Sequence, residues 1–266
     1  TFFIHGTTVA INILIEEKGA KTGLITTRGF GDIAEIGRSN RPNMYDPLYQ
    51  KPKPFVERFL RLEVDERVSY DGRIIKPLNE THVDEAIEKF KENKVQSVAV
   101  CLFNSYATPV HEIRIGQILR ESFPNASVSL SHLITREYRE YERTSTTILN
   151  AYVMPIVERY LRNMEQCLIG RGFSHDLLIM QSNGGMMTST TATQQPVNIV
   201  ESGPASGAIG AAVLGKSIGY LNLISYDMGG TTAKTAHSDK GAPRTTTEYK
   251  INGHPLRIPI IDLLEV

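Results

Sequence analysis

Residues 221–232 have the sequence LNLISYDMGGTT, and this stretch is the most informative part of the chain. Its apolar beginning predicts a buried strand, and Asp227 follows that strand directly. An aspartate at a strand end can hold a hydrated Mg²⁺ beside phosphate groups. Two glycines and two threonines come next: Gly229, Gly230, Thr231 and Thr232. Glycines let backbone N–H groups approach phosphate oxygens, so the stretch predicts a phosphate-binding loop, while a simple β-hairpin turn fits a diglycine equally well.

A helix rich in small residues lies just upstream of this stretch. The sequence Ser202-Gly203-Pro204 predicts a helix start, with a capping hydroxyl and a proline in the first turn. Small residues then recur every four positions, at Gly203, Gly207, Ala211 and Gly215. Such a stripe lets another backbone approach the helix closely. It is typical of an interdomain crossing, and ordinary packing of a helix on a sheet explains it as well.

The remaining sequence alternates strand and helix signals, which predicts a layered α/β protein. The near-continuous apolar run over residues 95–103 predicts a buried strand. The longest helical pattern covers residues 140–168, and Pro155 within it predicts a kink or a break. Asp71-Gly72 predicts a hairpin turn.

Composition excludes several classes of function. The 266 residues include 29 Lys and Arg and 29 Asp and Glu, so the net charge is zero. A general nucleic-acid binder would carry an excess of positive charge. Cys101 and Cys167 are far apart, which indicates neither a disulfide framework nor a zinc ribbon. No apolar run approaches the roughly 18 residues of a membrane-spanning helix, and the N-terminus has no signal-peptide pattern. We therefore expect a cytoplasmic protein that does not bind a membrane.

Other catalytic templates also fail on spacing. The sequence has no P-loop motif, and its glycines near position 207 do not fit the dinucleotide fingerprint G-x-G-x-x-G. His111-Glu112 is not followed by the second histidine of a metalloprotease motif, and no G-x-S-x-G motif occurs. The sequence therefore matches none of these other templates.

The order of these two features resembles the actin, sugar-kinase and heat-shock ATPase superfamily. In that superfamily a small-residue interdomain helix precedes the second phosphate loop, as residues 202–217 precede residues 227–232 here. The resemblance implies a ribonuclease H-like α/β architecture, with mixed sheets and flanking helices.

Five further blocks resemble the hydantoinase A-type chain of the hydantoinase/oxoprolinase family and occur in the order of that family. They are HGTTVA at 5–10, GLITTRGF at 23–30, ERTSTT at 142–147, MQSNGG at 180–185 and SGPA at 202–205. By this resemblance, residues 1–135 are part of the N-terminal hydantoinase/oxoprolinase domain. Residues 136–266 are then the start of the hydantoinase A domain, with the second phosphate loop.

The resemblance implies an ATP-dependent amidohydrolase that opens cyclic amides, such as hydantoins or 5-oxoproline. Such an enzyme uses ATP and Mg²⁺ to activate the substrate oxygen by phosphorylation, and it works with the family's hydantoinase B-type chain in a hetero-oligomer. Two alternatives stay open. One is an ATP-dependent acetone or acetophenone carboxylase component on the same scaffold, and the other is a nucleotide-binding assembly module without catalysis.

The resemblance also implies roles for particular residues. Asp227 would be the catalytic and metal-holding residue, and the cofactor would be bound by Gly203, Gly229, Gly230, Thr231 and Thr232. Weaker candidates for substrate or phosphate contact are His5, Thr7, Thr8, Arg143 and Asn183. Each weaker candidate has a structural alternative: a packed histidine with a helix cap at residues 5–8, a solvated helix face around Arg143, and a plain turn at Asn183.

The chain departs from the family pattern at its ends and at one internal position. It starts TFFIHG without Met, and the family's first phosphate loop and a later glycine-rich stretch are missing. We therefore expect a piece of a longer protein, with little or no ATP turnover on its own. Lys234 stands where many relatives have a second Asp, and a lysine there could neutralise phosphate charge.

Overall fold

The computed structural model describes residues 3–38, 43–228 and 233–265. The chain divides into two compact units. The first unit comprises Thr1–Glu16, Val157–Tyr249 and Ile258–Val266, and the second comprises Glu17–Ile156 and Lys250–Arg257. The predicted division between residues 135 and 136 concerns family domains rather than compact units, and it stays a prediction.

Helices and strands alternate along the described residues. The helices are α1 (Val9–Ile15), α2 (Ile33–Ile36), α3 (Glu80–Glu92), α4 (Val110–Ser122), α5 (Ser131–Ile134), α6 (Glu140–Gly170), α7 (Ser189–Gln194) and α8 (Ser202–Ser217). The strands are β1 (Phe3–His5), β2 (Thr22–Thr27), β3 (Arg61–Val64), β4 (Arg67–Val68), β5 (Ile74–Lys76), β6 (Ser97–Cys101), β7 (Ser127–Leu130), β8 (Leu177–Met180), β9 (Met186–Thr188), β10 (Leu223–Met228), β11 (Ala233–Asp239), β12 (Ala242–Pro243), β13 (Thr245–Thr246), β14 (Tyr249–Ile251), β15 (His254–Leu256), β16 (Ile260–Ile261) and β17 (Leu263–Glu265). No helix in the described ranges is long and apolar enough to span a membrane.

The second unit is built on a parallel sheet with the strand order β3-β2-β6-β7. Every residue of β6 is buried, which confirms the buried strand predicted within residues 95–103. Helix α3 packs beside the sheet because its apolar positions lie on one face, and Phe90 on that face is fully buried. The Asn79 side chain caps α3 by accepting a hydrogen bond from the backbone N–H of Thr81. Strands β4 and β5 pair as the hairpin predicted around Asp71-Gly72.

Helix α6 runs through Pro155 without a break, so the predicted break is wrong. A proline inside a helix leaves the carbonyl four residues earlier without its usual donor, and here that carbonyl belongs to Ala151. The Ser97 hydroxyl donates a hydrogen bond to this oxygen at 2.6 Å. Because Ser97 lies on β6, the sheet satisfies the group that the proline leaves unpaired.

The first unit contains smaller sheets that mix parallel and antiparallel pairs. Strand β8 pairs parallel with β1 and antiparallel with β9. A second sheet has the order β10-β11-β12, and β17 also pairs with β11. Helix α8 packs on this second sheet, where Ala205 and Ala208 form a small core with Ala236 and Ile261. The mixed sheets with flanking helices agree with the predicted α/β architecture.

Strand β10 is largely exposed, although the sequence predicts a buried strand here. Its side chains alternate, with Leu223 and Ser225 half-buried, whereas Ile224 is 74% exposed and Met228 is 70% exposed. The described residues cover one face of this sheet, the face that carries α8. The apolar run therefore does not make both faces of the strand buried.

Packing of β2 against α3 gives a test of the second unit. A methyl group added at Gly23 would lie 2.4 Å from the Phe90 ring, whereas one added at Gly210 on α8 meets nothing within 4 Å. We expect Gly23→Ala to destabilise the protein by about 1–3 kcal/mol through overpacking. Gly210→Ala should be neutral or stabilising by up to about 1 kcal/mol, since alanine favours a helix. Urea unfolding of both variants measures the difference, and equal stabilities would contradict the tight packing at Gly23.

Candidate functional site

A pocket of about 300 Å³ lies in the first unit between α8 and the sheet of β10 and β11. Helix α8 contributes Pro204, Gly207 and Ala211 to its lining, and the sheet contributes Asp227 and Lys234. The pocket thus joins the small-residue helix to the aspartate that the sequence singles out.

The small residues of α8 serve two different purposes along the helix. A side-chain carbon built on Gly207 would lie 3.9 Å from Oδ2 of Asp227, so the glycine leaves open space in front of the carboxylate. At Gly215 the same carbon would lie 2.3 Å from the Leu223 side chain, so here the helix approaches the sheet closely. The stripe therefore opens a pocket in the first half of α8 and allows tight packing in the second half.

Asp227 lies within β10 and points into the pocket. Its side chain is exposed, and no hydrogen bond or ion pair joins its carboxylate to any residue that the structure describes. Asp227 pairs with Lys234 in the antiparallel register, and Met228 pairs with Ala233. The segment of residues 229–232, between these strands, lies outside the described residues, so the predicted roles of Gly229, Gly230, Thr231 and Thr232 stay predictions.

The side chains that line the pocket suit Mg²⁺ better than a metal held by histidine or cysteine. No group of three or more His, Cys, Asp or Glu side chains in the described part of the chain is arranged to hold a metal ion. Mg²⁺ is commonly bound through one or two carboxylates, several waters and the phosphates of a substrate. Asp227, whose carboxylate has no bonding partner in the part of the chain that the structure describes, matches that mode of binding.

Lys234 is held by a buried carboxylate that sequence reasoning missed. Its Nζ lies 2.6 Å and 2.7 Å from the two carboxylate oxygens of Glu201, which is fully buried. The Tyr249 hydroxyl donates a further hydrogen bond of 2.7 Å to Glu201. The suggestion that Lys234 neutralises phosphate is therefore weakened, because its charge already has a partner. The available signal was the position of Glu201, a carboxylate directly before Ser202-Gly203-Pro204.

Ser202 does not cap α8, contrary to the sequence prediction. The capping position is Glu201, and no side chain there makes a capping hydrogen bond. Ser202 lies inside the helix and is buried, so its hydroxyl meets the segment before α1 instead. It donates to the carbonyl of Thr7 at 2.9 Å and accepts from the N–H of Thr7 at 3.0 Å.

Of the candidates near the N-terminus, Thr7 and Thr8 lie beside α8, and His5 lies against α6; the pocket lining includes none of these three residues. Nε2 of His5 lies 2.8 Å from the Tyr160 hydroxyl, and burial lowers the pKa of His5. This contact favours the packed-histidine alternative. The Thr7 hydroxyl accepts a hydrogen bond from the N–H of Val9. The side chain of Thr8 lies close to Gly203, where an added carbon would be 3.4 Å away. The proposed ligand contacts of His5, Thr7, Thr8 and Gly203 stay predictions.

Asn183 occupies the turn between β8 and β9. Its side-chain oxygen accepts a hydrogen bond from the N–H of Gly185 at 2.8 Å, and Gly184 has a positive φ of 88°. The turn thus uses the Asn183 side chain locally, which favours the plain-turn alternative over ligand contact.

Arg143 is fully buried in the second unit, so the expected solvated helix face is wrong. Its guanidinium donates hydrogen bonds of 2.6 Å to the carbonyls of Leu102 and Glu137, and it lies over the Tyr106 ring at 5.5 Å. These contacts hold the strand end after β6 against α6. The described geometry supports a structural role for Arg143 better than a phosphate clamp.

A second group of buried polar residues lies at the carboxyl ends of the parallel strands in the second unit, where ligands often bind in α/β proteins. Glu112 is fully buried and accepts hydrogen bonds from the N–H of Leu102, the Ser131 hydroxyl, and both the N–H and Nδ1 of His132. Glu66 is held similarly, by the Thr27 hydroxyl and by Nδ1 of His111 at 2.8 Å.

This polar group was missed because His111-Glu112 was considered only as part of a metalloprotease motif. The available signal was spacing, because Glu112 lies on the same face of α4 as the buried Ile115 and Leu119. Protein groups bind the carboxylates of both Glu112 and Glu66. These hydrogen bonds therefore connect the strand ends to α4 and leave little capacity for a ligand.

Glu112 should make the stability of the second unit depend on pH. Burial alone would raise the pKa of Glu112, but the hydrogen bonds from His132, Leu102 and Ser131 hold that pKa below its ordinary value of 4.5. A lowered pKa in the folded state means that the charged form adds stability above about pH 4.5, and that this contribution is lost as the pH falls further. We expect Glu112→Gln to cost about 2 kcal/mol or more near pH 7 and to flatten the loss of stability on acidification.

Urea unfolding between about pH 7 and about pH 3.5 measures this effect. The matched control is Glu85→Gln, which alters an exposed carboxylate on α3 and should leave the pH dependence as in the wild type. A Glu112→Gln variant with the wild-type pH dependence would show that the Glu112 carboxylate does not carry it.

Comparison with known proteins gives two matches to family models. Residues 1–123 match the hydantoinase/oxoprolinase N-terminal region, and residues 143–266 match the hydantoinase/oxoprolinase model. Together these matches cover most of the chain and are consecutive along it.

Individual relatives match nearly the whole chain. An uncharacterized protein of Methanocaldococcus jannaschii is 40% identical over 99% of this chain and 41% of its own length. The caprolactamase alpha subunit of Pseudomonas jessenii is 34% identical over 98% of this chain and 38% of its own length. The acetophenone carboxylase gamma subunit of Aromatoleum aromaticum is 30% identical over 97% of this chain and 36% of its own length. The chain therefore spans about two fifths of the length of these relatives.

A solved structure matches the fold throughout. The crystal structure of the ATP-dependent caprolactamase from Pseudomonas jessenii superposes on 100% of this chain and 39% of its own, with a TM-score of 0.89 and 33% sequence identity. This similarity confirms the predicted α/β fold class.

Proposed function

The chain belongs to the hydantoinase/oxoprolinase family, and from this membership we propose that it is part of an ATP-dependent hydrolase of cyclic amides. The observation that carries the proposal is the Asp227 carboxylate in the pocket between α8 and β10, which makes no hydrogen bond or ion pair with any residue of the described ranges. A carboxylate placed in this way, facing a glycine on a helix, suits a nucleotide phosphate with its Mg²⁺.

The chemistry explains why such an enzyme needs ATP. An amide resists attack by water. Transfer of the γ-phosphoryl group of ATP to the amide oxygen, with ADP as the leaving group, would make the carbon easier to attack; addition of water and cleavage of the C–N bond would then release inorganic phosphate. In our proposal Asp227 holds Mg²⁺ beside the phosphates, and Gly207 and Ala211 leave room for them. The backbone of residues 229–232 would bind phosphate oxygens, as the sequence predicts.

Partners follow from the same membership. The caprolactamase relative is named as one subunit, which supports an assembly of different chains. We propose that a hydantoinase B-type chain of the same family acts with this protein on the activated substrate. The small cyclic amide would be shared between the two, and this chain would supply the nucleotide site.

Substitution of Asp227 tests the nucleotide site. In the complete protein, Asp227→Asn should weaken Mg²⁺-dependent binding of a non-hydrolysable ATP analogue by about tenfold or more, because the amide cannot replace a charged ligand of Mg²⁺. Isothermal titration measures the binding, and circular dichroism checks that the fold is kept. Asp239→Asn is the matched control, since Asp239 is exposed at the far end of β11 and outside the pocket. Equal affinities for Asp227→Asn and the wild type would contradict the proposal.

A carboxylase function is the second candidate, because the acetophenone carboxylase relative is 30% identical to this chain. The two functions differ in what stimulates ATP hydrolysis. We expect lactams, hydantoin or 5-oxoproline to increase ATP turnover by the complete assembly, whereas acetophenone with bicarbonate should not. The reverse pattern would favour the carboxylase. Nucleotide binding with no turnover under either condition would favour the assembly module without catalysis.

A further inference from the structure

Asp227 and Lys234 face each other directly across the β10–β11 pair. Side chains of directly opposed residues in an antiparallel pair lie on the same face, with their Cβ atoms about 5 Å apart. Both residues line the pocket. A lysine opposite an aspartate would ordinarily pair with it, and such a pair would occupy the carboxylate that we assign to Mg²⁺.

The Lys234 ammonium pairs with Glu201 instead of Asp227. It lies 2.6 Å and 2.7 Å from the two oxygens of the Glu201 carboxylate, and its side chain is largely buried. The position of Glu201 is itself fixed, because its backbone N–H donates to the Ser182 hydroxyl at 3.0 Å and its carboxylate accepts from Tyr249. Lys234 therefore contacts both carboxylate oxygens of a residue, Glu201, that the segments around Ser182 and Tyr249 hold in place.

Burial explains why Glu201 is the preferred partner. An unpaired carboxylate in a protein interior is strongly destabilising, so Glu201 requires a cation. Asp227 is exposed, and water solvates its charge, so a pair between Lys234 and Asp227 would contribute much less. The Lys234 ammonium therefore pairs with the buried carboxylate of Glu201, and the exposed carboxylate of Asp227 has no partner among the described residues.

We propose that Glu201 is a positioning residue that keeps the Lys234 ammonium away from Asp227, so that Asp227 is available to Mg²⁺. This inference rests on the proposed nucleotide site. Glu201 touches neither metal nor substrate in this scheme, and it acts through the choice of partner for Lys234. Loss of the Glu201 charge frees Lys234 to pair across the strands with Asp227 and to compete with Mg²⁺.

The test compares the Mg²⁺ dependence of nucleotide binding in variants of the complete protein. The readout is the Mg²⁺ concentration that gives half-maximal binding of a non-hydrolysable ATP analogue. Glu201→Gln should raise this concentration roughly two- to fivefold, the range expected for a competing cross-strand ion pair.

The double variant separates positioning from a merely structural role. Glu201→Gln with Lys234→Gln leaves no cation to compete, so its Mg²⁺ dependence should return to within about twofold of the wild type. If Glu201 only stabilised the fold, the double variant would be at least as impaired as Glu201→Gln alone. That outcome would overturn the inference.

The double variant keeps the inference testable should Glu201→Gln fail to fold, because it leaves no unpaired charge in the interior. A clear rise in the Mg²⁺ requirement of the double variant above that of the wild type would overturn the inference. Asp227→Asn in the same titration tests the underlying site. If Asp227→Asn binds like the wild type, the proposed function fails. If Asp227→Asn is impaired while Glu201→Gln is not, only the positioning role fails.

Discussion

The buried ion pair between Glu201 and Lys234 is the interaction on which the described geometry of the first unit depends. Glu201 is the residue before α8, Lys234 lies on β11, and Tyr249 opens β14. The backbone of Glu201 also binds Ser182, just after β8. Through its carboxylate and its backbone N–H, Glu201 thus fixes the start of α8 against three other segments. Removing one partner of such a buried pair costs about 3–5 kcal/mol, so this junction is maintained by strong local energetics.

The size of the side chains on α8 then determines where space remains. Near Gly215 the helix contacts Leu223 closely, while near Gly207 it leaves an opening in front of Asp227. A helix fixed at its first turn and packed tightly near its last turn has little freedom to move toward the sheet between these points. The pocket therefore forms because α8 is anchored at both ends and carries small residues, Gly207 and Ala211, between them.

Local patterns predicted the elements whose formation depends on neighbours in sequence. The apolar run of β6 and the hairpin between β4 and β5 both follow from residues a few positions apart. The order of motifs also identified the family. Two of the errors have a different origin, since each depends on a distant partner. Ser97 lies 54 positions from Ala151 and keeps α6 continuous, and Thr7 lies 195 positions from Ser202 and takes the hydroxyl that was expected to cap α8. The candidate site shows the same limit. Asp227 could be found because it follows an apolar run and precedes glycines. The partner of Lys234 could not be found, because Glu201 lies 33 positions away in the sequence, at the start of α8.

The hydrogen bonds to their carboxylates distinguish Glu112 from Asp227 more clearly than the sequence around each residue does. Glu112 is buried and bound by four protein donors, and a carboxylate in that state has little capacity left for a ligand. Asp227 is exposed in a pocket and has no partner among the described residues. Both residues are acids at the end of a strand or the start of a helix, positions where α/β proteins commonly bind ligands. Asp227 can gain a metal ion without first losing contacts to any described residue, and for that reason we propose a functional role for Asp227 and a structural role for Glu112.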